Sequence, residues 1–339
     1  MTLKIDAFPH ILPRSFFDRM FAQPSREAVD MQKRVSAIPI LTDLDLRFRV
    51  MDRFGPEYRQ ILTLASPPIE ALGTPAYVTE LAKWANDGMA ELVRKHPDRF
   101  PGFAASIAPS DVDGALAEVD RATLQLGALG VQIFTNVNGV AWDDPRFEAF
   151  WARMAALDKP IWVHPARASN HPDYPGEPKS KFEMWWVFGW PYETALFMSR
   201  LIFSGHLDRY PTLRILTHHC GGMVPHFAGR IGGGLDQFGT RTPDEDYVAL
   251  KAKLTKRPYD YYKMFYGDTA LFGAEHALRC AIEFFGVDHV LFGTDMPFDP
   301  EKGPGFIRDT IANLEAIDLT PAERAAIYEG NARRVLGVR

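Results

Sequence analysis

Cysteine is scarce. The 339 residues hold two, Cys220 and Cys280, too few for a disulfide framework, so the expectation is a reduced, cytoplasmic protein. Long apolar runs are missing as well. No stretch approaches the roughly 18 residues that a membrane span needs, and no membrane partner is expected. The first residues carry no basic stretch followed by an apolar one, so no signal peptide is expected. No run rich in lysine or arginine occurs, and the net charge of −5 is small, which removes the electrostatic case for nucleic acid. A G-x-G-x-x-G fingerprint after the first apolar run is also absent, which argues against a dinucleotide-binding sheet. Gly232–Gly234 follow no strand pattern and are expected in a loop or at a helix end.

What is present is a globular composition, 46% hydrophobic and 24% charged, and a repeating pattern. Short apolar runs occur at Leu3–Phe8, Ile61–Ser66, Gly102–Ala108, Gly130–Thr135, Pro160–His164, Leu213–His218, Met264–Asp268 and His289–Thr294. Several are apolar on both faces, as strands covered on both sides must be. Helical patterns separate them. In Ala76–His96, residues Val78, Leu81, Ala82, Ala85, Met89, Leu92 and Val93 keep the i, i+3, i+4, i+7 spacing of one buried helix face. Strands alternating with helices imply parallel pairing through right-handed crossovers. Eight such units predict a (β/α)8 TIM barrel, as one domain over residues 1–339. Two segments fall outside the repeat. Residues 14–45 are expected as an insertion over the barrel mouth. Residues 166–190 form a long loop after the fifth strand, and its aromatic end, Met184–Trp190, is expected as a lid or wall of a substrate pocket.

Chemistry in such a barrel gathers at the C-terminal ends of the strands. Of the ten histidines, His10 lies past the first strand, His164 closes the fifth, and His218 and His219 close the sixth. Asp268 and Asp295 close the seventh and eighth. His96, His206, His276 and His289 have no such position and are expected to be structural, whereas His171 and His226 lie in loops on the functional side. Imidazoles with a carboxylate match the ligand set of zinc and related ions. Neighbours on a strand point to opposite faces, so only one of His218 and His219 is expected to aim inward.

Several motifs, in order, carry a resemblance. They are K-I-D-A-F-P-H-I-L-P at Lys4–Pro13, H-P-D-R-F at His96–Phe100, G-V-Q-I-F-T-N at Gly130–Asn136 and I-W-V-H-P at Ile161–Pro165. They continue as G-W-P-Y-E-T at Gly189–Thr194, H-C-G-G-M-V-P-H-F-A-G-R-I at His219–Ile231, L-F-G-T-D-M-P-F at Leu291–Phe298 and G-N-A-R-R-V-L-G at Gly330–Gly337. Together they resemble the amidohydrolase-related family that includes aminocarboxymuconate-semialdehyde decarboxylase, resorcylate-type decarboxylases and related hydratases. The resemblance implies a divalent metal held by H-x-H on the first strand, a His on the fifth and an Asp on the eighth, with a His on the sixth facing the metal-bound water or substrate. His10, His164 and Asp295 match the metal ligands, and His219 matches the sixth-strand His, which leaves His218 in the outer layer. The departure is Phe8, which stands where the first His of H-x-H belongs.

The resemblance implies a metal-assisted decarboxylase of an aromatic or muconate-like acid, with His219 and Asp295 catalytic. Zinc is the expected metal and manganese an option; a metal-free site also stays open, because a related lactonase works without one. The alternatives are a hydrolase or hydratase on a related cyclic or dienoic acid, and a degenerate, non-catalytic barrel. Phe8, Arg167, His171, Trp185, Trp186, Trp190 and His226 are the expected substrate contacts. The aromatic ones suit a flat ring, and the arginine suits a carboxylate. A homo-oligomer, dimer or tetramer, is expected by analogy.

Overall fold

The structure, a computed structural model, describes residues 2–23 and 29–338. Eight parallel strands form the barrel: β1 (Lys4–Asp6), β2 (Tyr58–Leu64), β3 (Gly102–Ser106), β4 (Gly130–Phe134), β5 (Ile161–His164), β6 (Ile215–Thr217), β7 (Tyr266–Asp268) and β8 (Val290–Leu291). Each pairs with the next in sequence order, and the register sets Phe134 beside His164 and Asp268 beside Leu291. After β1 the chain bends and a second short segment, His10–Ile11, rejoins β2 with His10 beside Thr63. The ring is closed by backbone bonds from β1 to the segment after β8. Ala7 N–H donates to the Phe292 carbonyl at 2.8 Å, Asp295 N–H to Phe8 at 3.1 Å, and His10 N–H to Met296 at 2.7 Å. The fold class expected from the alternating pattern is thus the one observed.

The barrel interior is packed by Ile5, Ile61, Ala104, Trp162, Leu216 and Leu291, and the C-terminal helix closes its lower end with Val335 and Leu336. Trp162 is the largest of these. Its ring fits because β4 offers Gly130, where a Cβ would sit 2.8 Å from the indole and 2.1 Å from the Pro160 carbonyl. The indole Nε1 donates to the Ala7 carbonyl at 2.9 Å, so the one polar atom of that ring is not left orphaned. Phe8, fully buried, belongs to the same cluster.

The helix expected from Ala76 runs Pro75–Lys95. It starts on a proline, where the missing N–H is no loss, and buries Val78, Leu81, Ala82, Ala85 and Met89. Gly232–Gly234 differ from expectation: they lie inside the helix Ala228–Asp236. A Cβ on Gly232 would meet the Tyr259 ring at 3.5 Å, so it lies against the Pro258–Tyr262 helix, and tertiary packing outweighs glycine's low propensity.

Residues 14–45 hold short helices at Arg14–Phe17, Val29–Ser36 and Pro39–Leu41; residues 24–28 lie outside the described residues. Arg34 donates to the Phe298 carbonyl at 3.3 Å. Residues 166–190 end in the short helix Met184–Val187. The helix after it begins at Gly189, so Trp190 sits on its first turn.

Candidate active site

The C-terminal rim brings His10, His164, His218, His219 and Asp295 together. Asp295 Oδ1 stands 3.0 Å from His10 Nε2 and 3.3 Å from His218 Nε2, and its Oδ2 stands 3.6 Å from His219 Nε2. The His164 ring lies 5.3 Å from His10 and 5.1 Å from His218, centroid to centroid.

Neighbouring groups set the tautomers. The Thr63 hydroxyl donates to the Pro9 carbonyl at 2.6 Å, so at 3.2 Å it accepts from His10 Nδ1. His164 Nδ1 lies 2.7 Å from the Pro165 carbonyl, which only accepts. His218 Nδ1 is hydrogen-bonded to Asp268 Oδ2. All three rings therefore carry hydrogen on Nδ1 and turn Nε2 toward the centre. Among the described residues, the buried Nε2 atoms of His10 and His218 have no aligned hydrogen-bond partner. A lone pair on His10 Nε2 facing a carboxylate oxygen at 3.0 Å is repulsive unless a cation lies between them. Burial pulls the His10 and His164 rings below the ordinary imidazole range, and for His164 the neighbouring imidazoles pull further. Burial opposes the charge on Asp295, but the approach of His10, His218 and His219 overcomes it and holds the carboxyl well below its usual range. Neutral imidazoles and an ionised carboxylate are the forms that ligate metal. Two groups place three ligand atoms within 4.8 Å of one another: His10, His164 and His218, and then His218, His219 and Asp295. This His/Asp cluster suits a divalent metal ion.

His218 corrects the sequence expectation that placed it in the outer layer. It is fully buried at the centre, stacked on Phe8 at 3.9 Å and 18°. Strict alternation fails because β6 ends at Thr217, before the doublet. His219 and Cys220 both adopt left-handed backbone angles, φ 53° and 49°, and this turn swings both rings onto the mouth. Gly221-Gly222, immediately downstream, was the available sign that the strand stops early. Asp295 is left-handed too, at φ 61°. Such conformations cost of order 1–3 kcal/mol and concentrate at functional sites.

A cavity opens beside the cluster, lined by Ser66, Asn136, Arg167, His171, Trp185 and Trp190, with Met31 of the insertion at its edge. The Trp190 ring lies edge-on to His164 at 5.3 Å and nearly parallel to His219 at 6.4 Å. Arg167 reaches the cavity, but its guanidinium is held by Glu193 at 3.0 Å. Three expected substrate contacts fall elsewhere. Phe8 has no exposed surface and meets the site from below, against the rings of His10, His164 and, most closely, His218. Trp186 turns to Glu183 and Arg34, with Nε1 donating to the Glu183 carboxylate at 2.9 Å. His226 is exposed, against Phe227, and away from the cavity, because the chain beyond Pro225 turns outward into a helix. Thr63 and Asn136 take part without having been singled out from sequence, since hydroxyl and amide positions at strand ends carry no periodic signal; Asp268, placed at the end of the seventh strand, is given no role by the sequence.

The amidohydrolase family model matches residues 10–338. The chain belongs to the amidohydrolase family. Among its relatives is a gamma-resorcylate decarboxylase from Polaromonas sp. (strain JS666), 32% identical over 305 residues that cover 86% of each chain. Another is a 2-amino-3-carboxymuconate-6-semialdehyde decarboxylase from Dictyostelium discoideum, 27% identical over 352 residues, 99% of this chain and 92% of that one. A solved dihydroxybenzoic acid decarboxylase from Polaromonas sp. JS666, with bound manganese and the inhibitor 2-nitroresorcinol, superposes with a TM-score of 0.78 at 27% identity, over 99% of this chain and 97% of that one. The metal in that amidohydrolase is manganese, so the expectation of zinc has no support from it. Among the described residues, no helix of this amidohydrolase is long and apolar enough to cross a membrane.

Proposed function

We propose that this amidohydrolase is a metal-assisted decarboxylase of a hydroxylated aromatic acid, with manganese as the ion to test first. One observation carries the proposal: buried Nε2 lone pairs and the Asp295 carboxylate converge at the rim beside a cavity walled by Trp185 and Trp190. His10, His164 and Asp295 are the residues assigned to hold the ion. When bound, the ion supplies a positive centre for the substrate carboxylate and its neighbouring hydroxyl. That role falls to it because Arg167 is already neutralised by Glu193.

The protein's own groups do the rest. The two tryptophans hold the ring flat and keep water from the reacting carbon. Asp295 and His219, 3.6 Å apart, are assigned to move one proton. Burial keeps the His219 ring below its ordinary range, so it is free to accept the substrate's hydroxyl proton. The pair passes that proton to the ring carbon bearing the carboxylate. The bond to that carboxylate then breaks, carbon dioxide leaves, and the ring regains its aromaticity as a phenolate, which takes up one proton from solvent as the product is released.

The test is carbon dioxide release from a panel of hydroxybenzoates by the manganese-loaded protein. Release that falls by 100-fold or more in His219→Gln or Asp295→Asn, on the order expected for loss of a proton-transfer group, supports the proposal. No release across the panel, with turnover of a cyclic or unsaturated acid by hydrolysis or hydration, would replace it.

A further inference from the structure

We infer that His218, anchored by Asp268, is the ligand that replaces the one missing at Phe8, so that His10, His164, His218 and Asp295 hold the ion and His219 alone is left to face the substrate. The inference deepens the decarboxylase proposal and rests on its metal.

The first argument is position. His218 is the member common to both groups of three converging ligand atoms. Asp295 Oδ1, His10 Nε2 and His218 Nε2 are separated by 3.0 Å and 3.3 Å along the two carboxylate–imidazole approaches. Bonds of about 2.0–2.2 Å to one ion place neighbouring ligand atoms about 3.0–3.5 Å apart. The residues are already set as an ion would set them.

The second argument is support from below. Phe8 cannot ligate, but its ring lies parallel to the imidazole of His218 at 3.9 Å, filling the space of a side-chain ligand and limiting the tilt of His218. The third is the partner of Nδ1. Asp268 is fully buried. Its Oδ1 accepts the backbone N–H groups of Cys220 and Ala270, each at 3.1 Å, which leaves Oδ2 for His218 Nδ1. A carboxylate that orients a histidine whose other nitrogen faces the metal is a recurrent support for a ligand. Among the described residues His219 has no such anchor, and it is the ring that meets Trp190 and Phe272. The doublet divides the work: one ring is fixed, the next is placed at the cavity.

The experiment uses the full chain, dialysed against chelator and titrated with Mn2+ alone. Bound and free ion are read by electron paramagnetic resonance, and coupled imidazole nitrogens are counted by its pulsed form. The expected result is one ion coupled to three imidazoles. His218→Gln is expected to weaken binding by 100-fold or more and Asp268→Asn by about 10–100-fold, while His219→Gln stays within about threefold of wild type. Two coupled imidazoles in the wild type, or wild-type affinity in His218→Gln, overturns the assignment. If His218→Gln does not fold, three coupled imidazoles that persist in His219→Gln decide for His218, and two in that variant decide against it. A wild type that binds no Mn2+ also overturns it, and carbon dioxide release by that ion-free protein would keep the decarboxylation but remove the metal's part in it. Three coupled imidazoles with no carbon dioxide release from the panel would sink the decarboxylase proposal and leave the ligand assignment intact.

Discussion

Glu70 is a buried carboxyl with no charged partner among the described residues. Burial pushes it up to about 8 from an ordinary 4.5. A raised acid binds its proton more tightly in the folded chain than in the unfolded one. Its contribution to stability is therefore greatest below the unfolded value of 4.5 and declines as pH rises toward 8. The whole shift corresponds to at most about 5 kcal/mol. Glu70→Gln removes the titrating group, so urea unfolding from pH 5 to 8 should show a flatter dependence than wild type and higher stability at pH 8. Equal slopes for the two proteins would mean that Glu70 is solvated. Asp295 is the opposite case: three imidazoles hold it ionised, which is why burial, with so similar a carboxylate, has contrary outcomes in the two places.

At the scale of elements, the loop after β5 and the helix that follows it decide what the cavity accepts. Asp173 pins the loop on itself, accepting from Ser180 Oγ at 2.7 Å and from Lys181 N–H at 2.8 Å. Trp190, on the first turn of the next helix, donates from Nε1 to the Arg167 carbonyl at 3.2 Å, so its ring stays against His164 and His219. Trp190→Ala removes a stacking wall worth on the order of 1 kcal/mol and lets water reach the rim. For the aromatic acid turned over in the panel, KM is expected to rise by about tenfold, with Mn2+ affinity unchanged. A kcat loss with unaltered KM would place the ring outside the substrate contact.

For the whole molecule, closure of the barrel and assembly of the site are one event. The bond from His10 N–H to the Met296 carbonyl closes the ring next to the first ligand. The His10 carbonyl is held in turn by both terminal nitrogens of Arg47 at 2.9 Å, while Arg47 Nε donates to Gln60 at 2.8 Å. Gln60 donates to Tyr58, and Tyr58 to Asp6, whose carboxylate also accepts from Thr294 after β8. Burial draws the guanidinium down to about 10 and pushes Asp6 up to about 6, so both charges depend on this chain of bonds. Arg47→Met strands buried acceptors on β2 and at His10. It should cost about 3–5 kcal/mol in urea unfolding and, because His10 loses its support, weaken Mn2+ retention in the same variant. Lost stability with full Mn2+ affinity would show that closure and site are separable.

The sequence alone determined the alternation of strands and helices, and with it the barrel, because burial on both strand faces and on one helix face leaves a periodic trace. It also placed His10, His164, His219 and Asp295 at strand ends, and the structure brings all four to one rim. Tertiary structure alone decided the side of the barrel on which His218 lies, where Trp186 and His226 point, and what Phe8 does. Those outcomes depend on where a strand stops and on left-handed turns at His219, Cys220 and Asp295. Such conformations are held by contacts from distant segments, and no local pattern of residue types encodes them.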